Sequence, residues 1–150
     1  MTKVSILSVL FLIFCAMAPL YGFMPKEKKQ VQWQETSIVE TLMRKDARPI
    51  IVDVYTSWCY YCKVMDATTW KNDSVTNYIA EHFYPIKLNA ENEAPIKWEG
   101  NEYLFQPKYK VHQLALKLLR GNMVYPSTVI IPEKGEWQVI PGAISAEKIE

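Results

Sequence analysis

The sequence predicts a single α/β domain with a mixed β-sheet at its centre. Helical and strand-like segments alternate along the first half, and residues 50–55 form the nearly continuous apolar run of a central buried strand. A strand–turn–strand signal follows near the C-terminus. Because strand–helix–strand crossovers are right-handed, the first strands should be parallel, and the hairpin should add an antiparallel pair.

Apolar spacing and end signals place the elements of the first half. Apolar residues three and four apart favour helices, whereas unbroken apolar runs favour strands. The expected order is an edge strand at 31–33, a helix at 37–45, a strand at 50–55 after Pro49, a helix from 59 to about 70, a break at 72–74, a helix at 75–81 and a strand at 83–88.

The second half opens with a long polar segment. Residues 89–109 contain Pro95, Gly100 and Pro107 and predict a loop, which at this length usually carries function or is mobile. The expected elements after it are a helix at 111–119 stopped by Gly121, a strand at 127–131, a turn at 133–136, a strand at 137–140 and a last helix capped by Ser145.

Residues 1–22 are predicted to be a signal peptide outside the fold. Lys3 precedes an apolar run from Val4 to Leu20 that only two serines interrupt. Retention of this run as an uncleaved membrane anchor is the alternative. Either outcome predicts a periplasmic or secreted location.

Residues 23–30 are predicted to be a polar linker, and residues 31–150 the folded domain. Cys15 falls in the leader, so the mature chain keeps two cysteines. The 17 basic and 16 acidic residues leave a net charge of +1, so no nucleic-acid partner is expected.

The two remaining cysteines carry the chemical signal. Cys59 and Cys62 lie between the strand at 50–55 and a helix. A cysteine in the first turn of a helix meets unpaired N–H groups and the positive end of the helix dipole, which favour the thiolate and lower the thiol pKa. The thiolate is the attacking species in disulfide exchange, so the placement predicts dithiol–disulfide chemistry.

Two other roles for the cysteine pair are less favoured. A structural zinc site needs four ligands, and the mature chain adds only His82 and His112, which are thirty residues apart and are expected at the surface or at helix ends. A purely structural disulfide would close too short a loop to stabilise the domain usefully. No metal and no organic cofactor are expected.

The chain resembles the thioredoxin family, in particular exported thioredoxin-like proteins with a Trp-Cys-x-x-Cys-Lys-x-Met active site. The matching segments come in family order over about residues 31–150. They are Val52-Asp53-Val54, Trp58 to Met65, Ile86-Lys87-Leu88-Asn89, Tyr125 to Val129 and Pro141-Gly142. The resemblance implies a thioredoxin fold: a central mixed β-sheet flanked by helices, with residues 90–109 as an insertion before the cis-proline strand.

The resemblance also implies roles for individual residues. Cys59 would attack and Cys62 would resolve, while Asp53 would be the buried carboxylate that helps to move the proton of the second cysteine. If Asp53 is buried, desolvation should raise its pKa. Pro126 would be the cis-proline facing the active site, where the backbone of Tyr125 pairs with an extended partner peptide.

Aromatic residues surround the cysteine pair. Trp58 would shield the disulfide. Tyr60 and Tyr61 stand where thioredoxin itself has Gly-Pro; they predict either a partner-recognition surface or the packing of one ring onto the domain.

The expected function is thiol–disulfide oxidoreduction by a monomer that reduces disulfide-bearing proteins and takes electrons from a membrane-embedded thiol donor. One alternative is a non-catalytic module that grips an extended peptide through the Tyr125–Pro126 loop and the insertion. Another is a thiol oxidase or isomerase of the same fold. The direction of electron flow is not encoded in the motif, because potentials of such pairs run from about −270 to about −120 mV.

Overall fold

A four-stranded mixed β-sheet forms the centre of the protein. The computed structural model describes residues 29–149. Its strands are β1 Ile50–Tyr55, β2 Tyr84–Asn89, β7 Ser127–Ile131 and β8 Gln138–Pro141. They lie in the order β2-β1-β7-β8. Strand β1 is parallel to β2 and antiparallel to β7, and β7 is antiparallel to β8. The predicted mixed sheet and its strand directions are confirmed.

Four α-helices of the described residues 29–149 flank the sheet. They are α1 Thr36–Lys45, α2 Tyr60–Ala67, α3 Asp73–His82 and α4 Gln113–Leu118. A 3₁₀ turn at Thr69–Lys71 separates α2 from α3. The Asn72 side chain ends this break by accepting the N–H groups of Ser74 and Val75, a typical helix N-cap.

The two faces of the sheet bury separate apolar clusters. Alternate residues of β1 point to opposite faces. Val52 and Val54 join a cluster with α1 and α4, whereas Ile51 joins a cluster with Met65 of α2 and Trp70. Because Asp53 follows the same alternation as Ile51, its side chain lies on the face that α2 and α3 cover.

The segment predicted to be one loop contains two β-hairpins. Strands β3 (Ile96–Trp98) and β4 (Asn101–Tyr103) form the first, and β5 (Phe105–Gln106) and β6 (Val111–His112) form the second. The loop prediction was wrong because a buried–exposed–buried alternation at 96–98 was hidden among polar residues.

The turn of the first hairpin explains why its signal was weak. Glu99 and Gly100 both have positive φ, 51° and 72°, which is the two-residue geometry that joins antiparallel strands tightly. Asn or Asp is the usual residue before such a glycine. A glutamate there gave no hairpin signal in the sequence.

Four further predictions differ from the structure. Residues 31–33 form no strand; Gln34 makes a single bridge to Ile86 instead, and the N–H of Val31 donates to Trp70. The helix expected from 59 to 70 ends at Ala67. The helix expected at 111–119 begins at Gln113, since the two residues before it pair with β5.

The fourth difference concerns the C-terminus. The last helix is only a 3₁₀ turn, Ala146–Lys148, and the hydroxyl of Ser145 donates to the Glu147 carboxylate rather than capping a backbone N–H.

His112 lies at a helix end, one of the two predicted places, and its side chain is completely buried there. Its Nδ1 accepts the N–H of Leu114 and thereby caps α4. Burial lowers the pKa of His112 below the ordinary histidine value. His82 lies exposed in the last turn of α3, as expected.

The predicted signal peptide, and the linker up to residue 28, lie outside the described residues. No helix among residues 29–149 has both the length and the apolar character that crossing a membrane requires.

Candidate functional site

A disulfide joins Cys59 and Cys62, whose Cα atoms are 5.3 Å apart. The chain leaves the sheet at the end of β1, turns through a hydrogen bond from the Cys59 N–H to the carbonyl of Thr56 (3.3 Å), and enters α2. Cys59 is the N-cap of this helix, with extended φ and ψ of −67° and 113°. The sequence folds this way because a buried strand anchors the residues immediately before the turn.

The Sγ atom of Cys59 accepts the backbone N–H of Cys62 at 3.1 Å. The first turn of α2 contains no acidic residue, so no side-chain charge of the first turn opposes the positive end of the helix dipole. After reduction, the same N–H and dipole favour an anionic sulfur at Cys59. The predicted placement of Cys59 at a helix start is therefore confirmed.

Both cysteines are shielded from solvent. Cys59 is 5% exposed and Cys62 2% exposed. Trp58, the residue before Cys59, is 64% exposed, and its indole N–H donates to Glu91 at 3.0 Å.

The two tyrosines of the motif are exposed. Tyr60 and Tyr61 are 71% and 62% exposed, and their rings meet edge to face with centroids 5.5 Å apart. Neither ring is buried against the domain, so of the two possibilities raised by the sequence, the structure contains an exposed aromatic pair.

The Tyr125–Pro126 peptide bond is cis, as the resemblance implied. The Tyr125 ring meets the Trp58 ring edge to face at 6.0 Å, which brings this loop beside the cysteine motif. The N–H of Gly142 donates to the Pro126 carbonyl at 2.8 Å and fixes the loop. The backbone of Tyr125 makes no hydrogen bond to any other described residue, so it is free to pair with an added strand.

Asp53 is buried in the central strand, with 1% of its surface exposed. Burial raises the pKa of its carboxyl from 3.8 to about 7; the Lys87 ammonium opposes the shift, and the Asp66 carboxylate adds to it. Its Oδ1 has no hydrogen-bond partner among the described residues, and its Oδ2 lies 3.9 Å from the Lys87 Nζ. This carboxyl can therefore gain or lose a proton near neutral pH.

Sequence reasoning missed Asp66, which pairs with Lys87. Lys87 is directly opposite Asp53 in the parallel β1–β2 register, yet its ammonium makes its close ion pair with Asp66. Asp66 lies four residues after Cys62, one turn further along α2. That spacing was the available signal, but only the strand register shows that Lys87 links the helix to Asp53.

The histidines do not join the cysteines in a metal site. Among residues 29–149, no group of three or more His, Cys, Asp or Glu side chains is placed to share a metal ion. The other tryptophans serve in packing: Trp70 and Trp98 are buried, and Trp33 meets Trp70 edge to face at 5.3 Å.

Three features define a redox protein with a thioredoxin fold. They are the mixed sheet, the Cys-x-x-Cys disulfide at the start of the helix after the central strand, and the neighbouring cis-proline loop. A family model of the thioredoxin-like domain matches residues 39–150. The chain belongs to this thioredoxin-like family.

Solved structures have the same fold. The chain is similar to the DsbH oxidoreductase, with a TM-score of 0.55 and 17% identity over 87% of both chains. It is similar to a thioredoxin from Thermus thermophilus, with a TM-score of 0.52 and 17% identity over 80% of this chain and 82% of that one. A protein from Bacteroides thetaiotaomicron, provisionally described as a disulphide-isomerase, has a TM-score of 0.57 and 25% identity over 83% of this chain and 90% of that one. A comparison with curated proteins gave no match.

Replacing Asp53 should make stability depend less on pH. Because the folded-state pKa of Asp53 is raised from 3.8 to about 7, the folded state holds its proton more tightly, and stability falls as pH rises between these values. We expect Asp53→Asn to match the wild type near pH 4 and to exceed it above pH 7 by up to about 4 kcal/mol. Urea unfolding of the oxidised proteins from pH 4 to pH 8 measures this. A difference that does not vary with pH would contradict the burial of an ionisable carboxyl.

Replacing Asp66 should lower the pKa of Asp53. Asp66→Asn removes a nearby negative charge and releases the Lys87 ammonium to approach Asp53. We expect the midpoint of the Asp53 titration, followed by carboxyl carbon NMR, to move downward from about 7. Glu133→Gln removes an equal charge from an exposed turn and is the matched control. An unchanged midpoint in Asp66→Asn would show that Asp66 does not act on Asp53.

Proposed function

We propose that this protein is a thiol–disulfide oxidoreductase that reduces disulfides in partner proteins. The observation that carries the proposal is the hydrogen bond from the Cys62 N–H to the Cys59 Sγ at the start of α2. A sulfur held there is stabilised as an anion, and its partner sulfur is close enough to displace a bound substrate.

The reaction has two exchange steps. The Cys59 thiolate attacks one sulfur of the partner disulfide; a new S–S bond forms, and the second partner sulfur leaves as a thiolate. The Cys62 thiolate then attacks the Cys59 Sγ and displaces the first partner sulfur. The partner gains two electrons and, after protonation, two thiols, and the protein keeps the Cys59–Cys62 disulfide seen in the structure.

Asp53 supports the second step. Cys62 must lose a proton before it can attack, and a carboxyl whose pKa is about 7 is half ionised at neutral pH and can accept one. Desolvation outweighs the attraction of the Lys87 ammonium, which also pairs with Asp66, so the carboxyl is not held permanently as an anion.

The surface around the pair suits a polypeptide. The free backbone of Tyr125 can pair with an extended segment of the partner. Trp58, Tyr60 and Tyr61 offer exposed rings, which bind apolar side chains with little loss of rotamer entropy.

The reducing direction and the exported location complete the proposal. Residues 1–22 have the pattern of an export signal, and an exported reductase needs a thiol donor in the membrane to restore its dithiol. The likeness to a protein provisionally described as a disulphide-isomerase supports the same sulfur chemistry and leaves isomerisation and oxidation as the competing directions.

The reduction potential decides between these directions. We expect the Cys59–Cys62 pair, equilibrated in thiol–disulfide buffers, to fall toward the reducing end of the range, near about −270 mV, where thioredoxin lies. A value near about −120 mV would indicate an oxidase instead.

Single-cysteine variants separate the two sulfurs. We expect Cys59→Ala to abolish reduction of a protein disulfide, and Cys62→Ala to accumulate a covalent mixed disulfide through Cys59, detected by mass. If Cys59→Ala kept full activity, the non-catalytic binding module would be the better description.

Export can be tested with the leader present and absent. We expect the full chain, expressed in a bacterium with two membranes, to reach the periplasm with a mass reduced by about 22 residues, as for a cleaved leader. The chain beginning at residue 23 serves as the control and should remain in the cytoplasm. Full-length protein that stays in the cytoplasm would contradict the exported location.

A further inference from the structure

Three buried polar atoms on one face of the sheet have no hydrogen-bond partner among residues 29–149. They are Oδ1 of Asp53, Oγ1 of Thr128 and Nε1 of Trp70. The three residues are 1%, 1% and 2% exposed, so bulk solvent does not supply the missing partners. Buried polar groups are almost always hydrogen-bonded, and a group that is not calls for an explanation. We refer to these three residues as the Asp53 cluster.

The strand register places Asp53 between two polar neighbours. Lys87 of β2 lies opposite it on one side, and Thr128 of β7 lies opposite it on the other. Directly opposite residues of an antiparallel pair point to the same face of the sheet, with Cβ atoms about 4.5–5.5 Å apart. The Lys87 ammonium approaches Oδ2 of Asp53, so Oδ1 is the oxygen left for the β7 side.

Trp70 approaches the same carboxyl from the 3₁₀ turn after α2. Its ring packs in the apolar cluster that contains Ile51, which is two residues before Asp53 and on the same face of β1. Burial raises the pKa of the Asp53 carboxyl, and the indole N–H of Trp70 is among the groups that oppose this rise. In the oxidised protein the two groups face each other without closing a full hydrogen bond.

The two neighbours of the carboxyl differ in their hydrogen-bonding capacity. The Thr128 hydroxyl is both a donor and an acceptor, whereas the Trp70 indole is a donor only. An ionised Asp53 can accept from both, and such charge-assisted hydrogen bonds are stronger than neutral ones. A protonated Asp53 can instead donate its own O–H to Thr128. The cluster therefore favours the anion without preventing protonation.

We propose that Thr128 and Trp70 are positioning residues for the proton transfer that frees the Cys62 thiolate. Both donate to the Asp53 carboxylate and oppose the effect of desolvation, which keeps part of it ionised at neutral pH. The inference rests on the proposed function, because this transfer belongs to the second exchange step.

The transfer balances as a simple acid–base step. The S–H bond of Cys62 breaks, an O–H bond forms on Asp53, and the electron pair of the S–H bond stays on the sulfur as the attacking thiolate. The new O–H group donates to Thr128. The carboxyl gives the proton to solvent before the next cycle.

The charged groups around the cluster come from two other elements. Burial is the main cause of the raised pKa of Asp53; Lys87 of β2 opposes the rise, and Asp66 of α2 adds to it. Thr128 and Trp70, which β7 and the 3₁₀ turn place on this face, carry no charge. Reduction adds the two thiols. Variants at Thr128 and Trp70 therefore change hydrogen bonding without changing any charge.

Carboxyl carbon NMR of the oxidised protein tests the Thr128 hydroxyl. We expect Thr128→Val, which keeps the shape and removes the hydroxyl, to raise the midpoint of the Asp53 titration above about 7. The expected rise is about half a unit to one unit, as for the loss of one hydrogen bond. Thr128→Ser restores the hydroxyl and should return the midpoint to that of the wild type. An unchanged midpoint in Thr128→Val, or an equal rise in Thr128→Ser, would overturn the role of the hydroxyl.

Matched variants control for the loss of a buried polar group elsewhere. Thr56 is also 1% exposed, and its Oγ1 also lacks a partner within the described part of the chain, but it follows β1 and is not paired with β7. Thr56→Val should leave the midpoint of the Asp53 titration unchanged. Trp70→Phe should raise this midpoint, whereas Trp98→Phe, in the apolar cluster on the other face, should not. Equal shifts for the two threonine-to-valine variants, or for the two tryptophan variants, would contradict the assignment.

The pH dependence of the second exchange step tests the link to Cys62. In a single turnover with excess disulfide-linked peptide, release of the last peptide thiol reports the attack of Cys62 on the mixed disulfide. We expect Thr128→Val to be about threefold to tenfold slower than the wild type near pH 6, where fewer Asp53 carboxyls are ionised, and to match it near pH 9. Thr128→Ser should follow the wild type at both pH values. Rates that fall by the same factor at both pH values would indicate a structural effect and sink the proposal.

The titration and the turnover keep this inference distinct from the proposed function. If no disulfide is reduced, the proposed function fails, and the titration of the oxidised protein still decides whether Thr128 and Trp70 act on Asp53. If the titration midpoint moves but the second exchange step keeps the wild-type rate near pH 6, the link between the Asp53 cluster and Cys62 is refuted.

Discussion

The hydrogen bond between the Cys62 N–H and the Cys59 Sγ is the interaction on which the site depends. It exists because β1 is a buried central strand, which fixes where the chain leaves the sheet and where α2 must begin. The donor is a backbone group, so the arrangement does not depend on the identity of the two residues between the cysteines. Tyr60 and Tyr61 can therefore face solvent without disturbing the sulfur geometry.

The second constraint is the buried carboxyl of Asp53, at a position where an apolar residue would make the protein more stable. Asp53 sits among the valines and isoleucines of β1. Its burial raises the pKa of the carboxyl; the Lys87 ammonium, which a second carboxylate already engages, and the Trp70 indole oppose this shift without cancelling it. An unpaired charge in this place would be costly, so the proton is retained up to about pH 7. Desolvation of the Asp53 carboxyl therefore has two consequences. It lowers the stability of the folded protein, and it provides a group that can accept a proton near neutral pH.

The sequence predicts an element of the structure well when the pattern that indicates the element lies within a short stretch of the chain. Strands β1 and β7 have the expected bounds because their apolar runs end at clear breaks. The two hairpins were missed because their strands are only two or three residues long. The burial of His112 was not predicted, because an imidazole that caps a helix from a buried position looks like any polar residue in the sequence. The role of Asp66 was not predicted for a different reason: it depends on the pairing register of β1 and β2, which places Lys87 opposite Asp53.

The hairpins shape the surface beside the cysteine motif. Trp98 and Ile96 are buried in the same apolar cluster as the core strands. This packing holds the insertion to the domain and keeps its outer residues in place. The geometry of the sulfur and the shape of this surface then have different physical origins. The reactivity of Cys59 comes from a helix terminus set by β1, whereas the surface beside it is formed in part by Tyr109 and Lys110, which take no part in holding the sulfur. Substitutions at Tyr109 and Lys110 can therefore change the surface beside the disulfide without altering the hydrogen bond that positions the Cys59 sulfur.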